Sequence, residues 1–219
     1  MRVEMSTKIY LIRHGQSVAN NLGIFLGQVD MELTETGKKQ AELTADFFEV
    51  AGIRPDKIYA SDLIRAYDTA QASARRFALP IIKDTDLREI SAGFWEKVPF
   101  DDLPRLFPDS YGTWLRDIGN ACCDGGESVM QVQKRIVSAV KRIAEDNDGR
   151  TVFIFTHATP VRLFAAYCKG MDSDGVKELP WPTNASVTEA SYENGCFRLK
   201  EYSRDDFMGN CVTKLPANV

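Results

Sequence analysis

Histidine is the scarcest chemistry-bearing residue in this 219-residue chain: there are two, His14 and His157. Cysteine is nearly as sparse. The five cysteines are odd in number and show no C-x-x-C spacing, and Cys122 and Cys123 are adjacent, which makes a poor metal clamp. This excludes a disulfide scaffold and points to reduced thiols in a cytoplasm. Long apolar runs are missing too. The longest clean one, Leu163 to Cys168, falls far short of the roughly 20 residues a spanning helix needs. Ser6, Thr7 and Lys8 interrupt the start, so neither a secretory segment nor a membrane span is expected. There is no excess of positive charge: 27 Lys and Arg stand against 31 Asp and Glu, a net of −4. That argues against a nucleic-acid partner, and any anionic ligand must be held by a local cluster of cations.

Several catalytic signatures are also absent. The chain has no G-x-x-x-x-G-K-[ST], no H-E-x-x-H and no G-x-S-x-G, and no Cys is followed by Arg at the spacing of a cysteine phosphatase loop. Asp84-Thr85-Asp86 imitates a haloacid-type acid pair, but it follows a poor strand and reads as a turn. What is present is ordinary globular material, with 44% hydrophobic and 26% charged residues, enough for one domain with a sizeable core.

Strand and helix patterns alternate along that material. Lys8–Ile12, Lys57–Ala60, Pro80–Lys83 and Thr151–Phe155 are short, apolar and β-rich. Thr34 is placed to cap a helix that carries Leu43, Phe47 and Val50 at helical spacing and ends at Gly52. Ser61 is placed to cap a second, with Leu63, Ala66, Ala70, Ala74 and Phe77 on one face, and Ser128 a third, with Val129, Val132, Ile136, Val140 and Ile143. Pro160 suits the first turn of a fourth. Asn194-Gly195 between Val187–Tyr192 and Phe197–Tyr202 signals a hairpin. The expected architecture is an α/β three-layer domain spanning 1–219: a mostly parallel sheet flanked by helices, a C-terminal hairpin, and a loop-rich insertion at about 90–127 covering the site.

Both histidines follow strands, where an open α/β sheet places its ligands. A neutral imidazole is a good nucleophile near pH 7, and attack on phosphorus requires fixed cations around the transferring group. Arg13 offers a planar fork to two phosphoryl oxygens, Gly15 lets backbone approach a ligand, and Asn20 supplies a further donor. Arg65 falls in the first turn of a helix, where a cation opposes the dipole unless an anion sits beside it, the arrangement of a phosphate clamp. Glu89 and Glu96 are both candidate general acids.

These residues resemble the histidine phosphatase superfamily, also called phosphoglycerate mutase-like. The resemblance runs from Leu11-Ile12-Arg13-His14-Gly15-Gln16-Ser17 with Asn20, through Leu33-Thr34 with Gly37, Ala60-Ser61-Asp62-Leu63 with Arg65-Ala66, and Leu87-Arg88-Glu89 with Trp95-Glu96, to Gly125-Gly126-Glu127-Ser128 and Phe155-Thr156-His157. It implies that His14 becomes phosphohistidine and that Glu89 protonates the leaving oxygen and then activates water. Arg13, Arg65 and His157 would hold the phosphoryl group, with Asn20, Gln28, Glu127 and Ala158 counted among the substrate-binding residues. No metal and no cofactor are implied. Two departures stand out: the usual His-Gly is His157-Ala158, and the Trp-Glu-Gly of the phosphatase branch is Trp95-Glu96-Lys97.

Three functions fit the resemblance: a phosphomonoesterase, a 2,3-bisphosphoglycerate-dependent mutase, and a non-catalytic phosphate-binding module. A mutase needs extra cations over its site, yet the segment between Glu89 and Glu127 carries three basic residues (Lys97, Arg105, Arg116) against six acidic ones (Glu96, Asp101, Asp102, Asp109, Asp117, Asp124). Hydrolysis is therefore expected, of a small or moderately apolar phosphomonoester. Phe94, Trp95, Phe100, Phe107, Tyr111 and Trp114 either shape a pocket for it or form the core beneath that segment. Oligomeric state is left open between monomer and homodimer.

Overall fold

The computed structural model describes residues 6–213. Eight strands and seven α-helices follow one another: β1 (Thr7–Arg13), α1 (Val18–Leu22), β2 (Ile24–Phe25), α2 (Glu35–Val50), β3 (Lys57–Ala60), α3 (Ile64–Phe77), β4 (Ile81–Lys83), β5 (Val98–Pro99), α4 (Leu103–Leu106), α5 (Pro108–Arg116), α6 (Val129–Asp146), β6 (Thr151–Thr156), α7 (Ala158–Cys168), β7 (Val187–Glu193) and β8 (Cys196–Arg204). Six form one sheet in the order β4-β3-β6-β1-β7-β8. The first four run parallel, and the terminal hairpin adds antiparallel to β1. β2 and β5 form a separate two-stranded ladder.

The three layers follow from the two-residue period of a strand. On β1, Ile9 and Leu11 pack with Ile136, Val140 and Phe164 of α6 and α7. Tyr10 and Ile12 point the other way, onto Phe48 of α2 and Ala70 of α3. Both faces are covered, so β1 and β6 read as continuous apolar runs. The register sets Arg13 opposite Thr156, which brings the residues after β1 and β6 together at the carboxyl edge of the sheet.

The capping expectations hold at Thr34, whose hydroxyl accepts from Gly37 N–H, and at Ser128, which forms a full capping box with Gln131. They fail at Ser61. The N-cap of α3 falls two residues later, at Leu63, with no side-chain cap bond, and the Ser61 hydroxyl bonds a histidine. The face assigned to α2 also shifts. Ala41, Ala45 and Phe48 are buried while Val50 is 88% exposed, since two residues on from Phe48 the helix has turned Val50 to the opposite side. The face assigned to α6 is buried throughout.

The 90–127 segment is less loop-like than its composition suggests. It holds α4, α5 and β5 and has its own apolar core, in which Trp95, Phe100, Tyr111, Trp114 and Ile118 pack on Leu163 and Ala166 of α7. Phe94 alone of its six aromatics is well exposed, at 72%. Asp84 caps a 3-10 turn, as a turn residue should. Among the described residues, no helix is long and apolar enough to cross a membrane.

Candidate active site

The residue after β1 is His14 and the residue after β6 is His157, and because these strands are paired neighbours the two imidazoles meet, ring centroids 5.1 Å apart. His14 N–H continues the ladder to Thr156 O at 2.9 Å, which fixes its backbone to the sheet. Both rings are buried. Gly15 gives up its side chain for a different reason from the one expected. A Cβ there would run into the backbone of Gly37 at the start of α2, so the glycine serves helix packing and not ligand approach.

The protonation of His14 follows from its partners. Its Nδ1 lies 2.7 Å from the Gly15 carbonyl, which can only accept, so Nδ1 carries the hydrogen and Nε2 presents a lone pair. Arg65 Nε lies 3.3 Å from that Nε2. Burial, then the charges of Arg65 and Arg13, hold the His14 pKa well below its ordinary value, so the ring is neutral and nucleophilic at neutral pH. The same causes, led by burial and then Arg65, depress His157. Leu63 N–H donates to Ser61 Oγ at 3.3 Å, and the same oxygen lies 2.9 Å from His157 Nε2. The other ring nitrogen, Nδ1, is buried with no protein partner.

The two arginines are pinned by backbone. Arg13 Nη1 donates to Pro182 O at 2.6 Å, and its Nε is buried without a protein partner. Arg65 sits in the first turn of α3, as expected, and donates to Gly27 O and Val29 O at 2.7 and 2.9 Å. Neither Asp62 nor Asp68 pairs with it; Asp62 pairs with Arg88. Burial pushes both Arg13 and Arg65 down to about 10, opposed first by the carboxylate of Glu89, so both stay charged at neutral pH. The clamp is rigid before any ligand arrives, and rigidity is what electrostatic stabilisation of a transition state requires.

Arg13, His14, Asn20, Arg65, Glu89 and Ala158 line one cleft of about 500 Å³. Asn20 Oδ1 accepts from Ser17 and from Asn184 Nδ2, which leaves its amide hydrogens for the cleft. Of the two candidate acids, Glu89 lines the cleft and Glu96 does not. Glu89 accepts from Ile90 N–H at 2.9 Å and from Thr159 N–H, in the first turn of α7, at 3.4 Å. Glu96 is spent on the backbone N–H groups of Gln28 and Ala92.

His157, fully buried beside His14, is outside the lining, and so are Gln28 and Glu127. Gln28 Nε2 donates to Glu89 O at 3.1 Å. Glu127 holds a two-pronged pair with Arg135 and accepts from Ser91 N–H at 2.8 Å. Arg135 in turn donates to the carbonyls of Asp86, Arg88 and Glu89. These residues therefore fix the backbone that carries Glu89. Gly126 belongs to the same brace, since a Cβ there would strike Ser91 O. Sequence reasoning missed Arg135, a mid-helix charge that reads as solvated, and Asn184, which holds His14 O at 3.2 Å. Lys97, where the branch usually has glycine, adopts a φ of +68° and donates to Phe25 O at 2.9 Å. That backbone conformation is why glycine suits the position.

Ser17, Gly27 and Thr159 also line the cleft, and the rest of its lining is apolar: Ile24, Phe25, Leu26, Phe100, Trp114 and Trp181. Among the described residues, no group of three or more His, Cys, Asp or Glu is placed to hold a metal ion.

A sequence model described as the histidine phosphatase superfamily (branch 1) matches residues 9–205. The chain is 32% identical over 161 residues to phosphoserine phosphatase 1 of Hydrogenobacter thermophilus, covering 74% of each protein. It is 29% identical over 203 residues to glucosyl-3-phosphoglycerate phosphatase of Mycolicibacterium vanbaalenii, covering 87% of this chain and 89% of that one. The solved structure of Bacillus stearothermophilus YhfR matches with a TM-score of 0.87 at 28% identity, covering 92% of this chain and 99% of that one. With two paired histidines at the strand ends, two pinned arginines beside them and a family match spanning nearly all of the sequence, this chain belongs to branch 1 of the histidine phosphatase superfamily.

Proposed function

We propose that the chain is a phosphomonoesterase that works through a phosphohistidine on His14. The observation that carries this reading is the His14 Nδ1 contact to Gly15 O, which leaves Nε2 as a lone-pair donor inside a cage of fixed cations. Nε2 attacks phosphorus, and the ester oxygen leaves with the proton of the Glu89 carboxyl. Water then attacks phosphorus while the Glu89 carboxylate takes its proton. The P–N bond breaks, phosphate leaves, and His14 is neutral again. Arg13, Arg65 and the Nδ1–H of His157 bind the three phosphoryl oxygens through both steps, with the Asn20 amide assisting. The free Nε of Arg13 and Nδ1 of His157 are unspent groups of the kind this task needs.

Hydrolysis is favoured over phosphoryl return to a second position. A mutase must hold a bisphosphate, and the cleft beyond the phosphoryl pocket offers an apolar wall and no further cation among its lining residues. That wall suits a small or moderately apolar ester. The named relatives are phosphatases, which supports the same reading. We take 1–219 as one catalytic domain with the 90–127 segment as its cap, and the five unpaired thiols as fitting a cytoplasmic setting.

The test is phosphate release from p-nitrophenyl phosphate with EDTA present. The unmodified protein is expected to turn over, and His14→Ala to lose at least about 10⁴-fold in kcat. Retained activity in the variant would overturn the reading.

A further inference from the structure

Behind the wall of the cleft lies a second cavity of about 590 Å³, lined by Trp114, Leu115, Ile118, Arg162, Lys177, Leu179, Pro180 and Trp181. Trp114 and Trp181 line both spaces, stacked at 5.9 Å between ring centroids and 20° between planes. The stack separates the second cavity from Arg13, Arg65 and Glu89, none of which lines it.

Arg162 is the unusual residue here. It projects from α7 and is only 6% exposed, yet it takes part in no ion pair among the described residues. Its guanidinium lies 4.3 Å over the Trp181 ring, and Nη2 donates to the carbonyls of Val176 and Lys177 at 3.1 and 3.4 Å. A buried cation balanced only by a π face and two carbonyls is under-compensated. Its Nε is buried with no acceptor at all, and so is the indole N–H of Trp114 in the wall of the same cavity. Lys177 adds a second positive charge at the rim, and no lining residue is acidic. Buried donors left without acceptors are rare, and two at one cavity under a net positive charge point to an acceptor that is not protein.

We propose that this cavity is a second anion site, separate from the phosphoryl pocket, that takes a small organic oxyanion, a carboxylate or a phosphate, between Arg162 Nε, the Trp114 indole N–H and Lys177. A single oxyanion would supply the acceptors that both orphaned donors lack and the counter-charge that Arg162 lacks.

Titrating the full-length protein with malonate, and separately with methylphosphonate, tests this, read by tryptophan fluorescence and by calorimetry. At least one probe is expected to give a saturable signal, and which one responds separates the carboxylate from the phosphate class. Arg162→Gln is expected to weaken that signal by about tenfold or more. Lys177→Gln, at an exposed position whose removal leaves the core intact, should weaken it less, and His14→Ala should leave it unchanged. Binding is read without turnover, so the proposal stands or falls independently of the phosphomonoesterase reading. No saturable response to either probe, or a response equal in the unmodified protein, Arg162→Gln and Lys177→Gln, would overturn it.

Discussion

The cleft has two halves built on different principles. Its floor comes from the carboxyl ends of adjacent parallel strands and one helix start, and its side chains are held by the protein: His14 by Gly15, Arg65 by Gly27 and Val29, Arg13 by Pro182, and His157 by the Ser61 hydroxyl. Its wall is assembled from Ile24–Leu26, Phe100, Trp114 and Trp181, four stretches distant in sequence, the first two joined through the β2–β5 ladder and the others by packing. The floor has polar atoms held in place before a ligand arrives, whereas the wall has apolar area. The floor should set how fast phosphorus is attacked, and the wall should set which ester reaches it.

Substitutions sharpen or break that division. Arg65→Gln removes one fixed cation from the floor and is expected to lower kcat by about 10² to 10³-fold with a smaller change in KM. Glu89→Gln should lower kcat by about 10² to 10⁴-fold for alkyl phosphates, whose leaving oxygen needs a proton, and far less for p-nitrophenyl phosphate. Equal losses on both substrates would remove Glu89 from the acid role. In the wall, Trp181→Ala is expected to raise KM about tenfold for aryl phosphates while kcat stays near its original value. A kcat loss at constant KM would break the division between floor and wall. The smallest effect concerns the brace beneath the wall: Lys97→Gly should raise stability by about 0.5 to 1 kcal/mol in thermal unfolding, because the strain of φ +68° exceeds the backbone entropy that glycine adds.

The same contrast explains how much was legible in the sequence. The floor was readable because each of its residues sits one step beyond a recognisable element: His14 after an apolar β-rich run, His157 after another, and Arg65 in the first turn of an amphipathic helix. The parallel sheet and three layers followed from the same alternation. The wall was readable only in part: Phe100 and Trp114 were among six aromatics expected to shape a pocket or form a core, and they do both, but no pattern linked them to Trp181 or to Ile24–Leu26. Arg135 was hidden for a related reason. A charge in the middle of α6 looks solvated until Glu127 and the carbonyls of the 86–89 stretch are folded onto it. Ser61 misled because a hydroxyl before a helix pattern usually caps it, and here a buried imidazole competes for the same atom.

In the proposed mechanism His14 Nε2 carries the phosphoryl group between two half-reactions. Rapid mixing with a phosphomonoester, an alkaline quench and mass-spectrometric mapping of the peptides test it most directly. An alkali-stable, acid-labile phosphate is expected on the peptide containing His14, present during turnover and absent from His14→Ala. Full turnover with no phosphorylated His14 peptide, or with the phosphate on His157 instead, would contradict it.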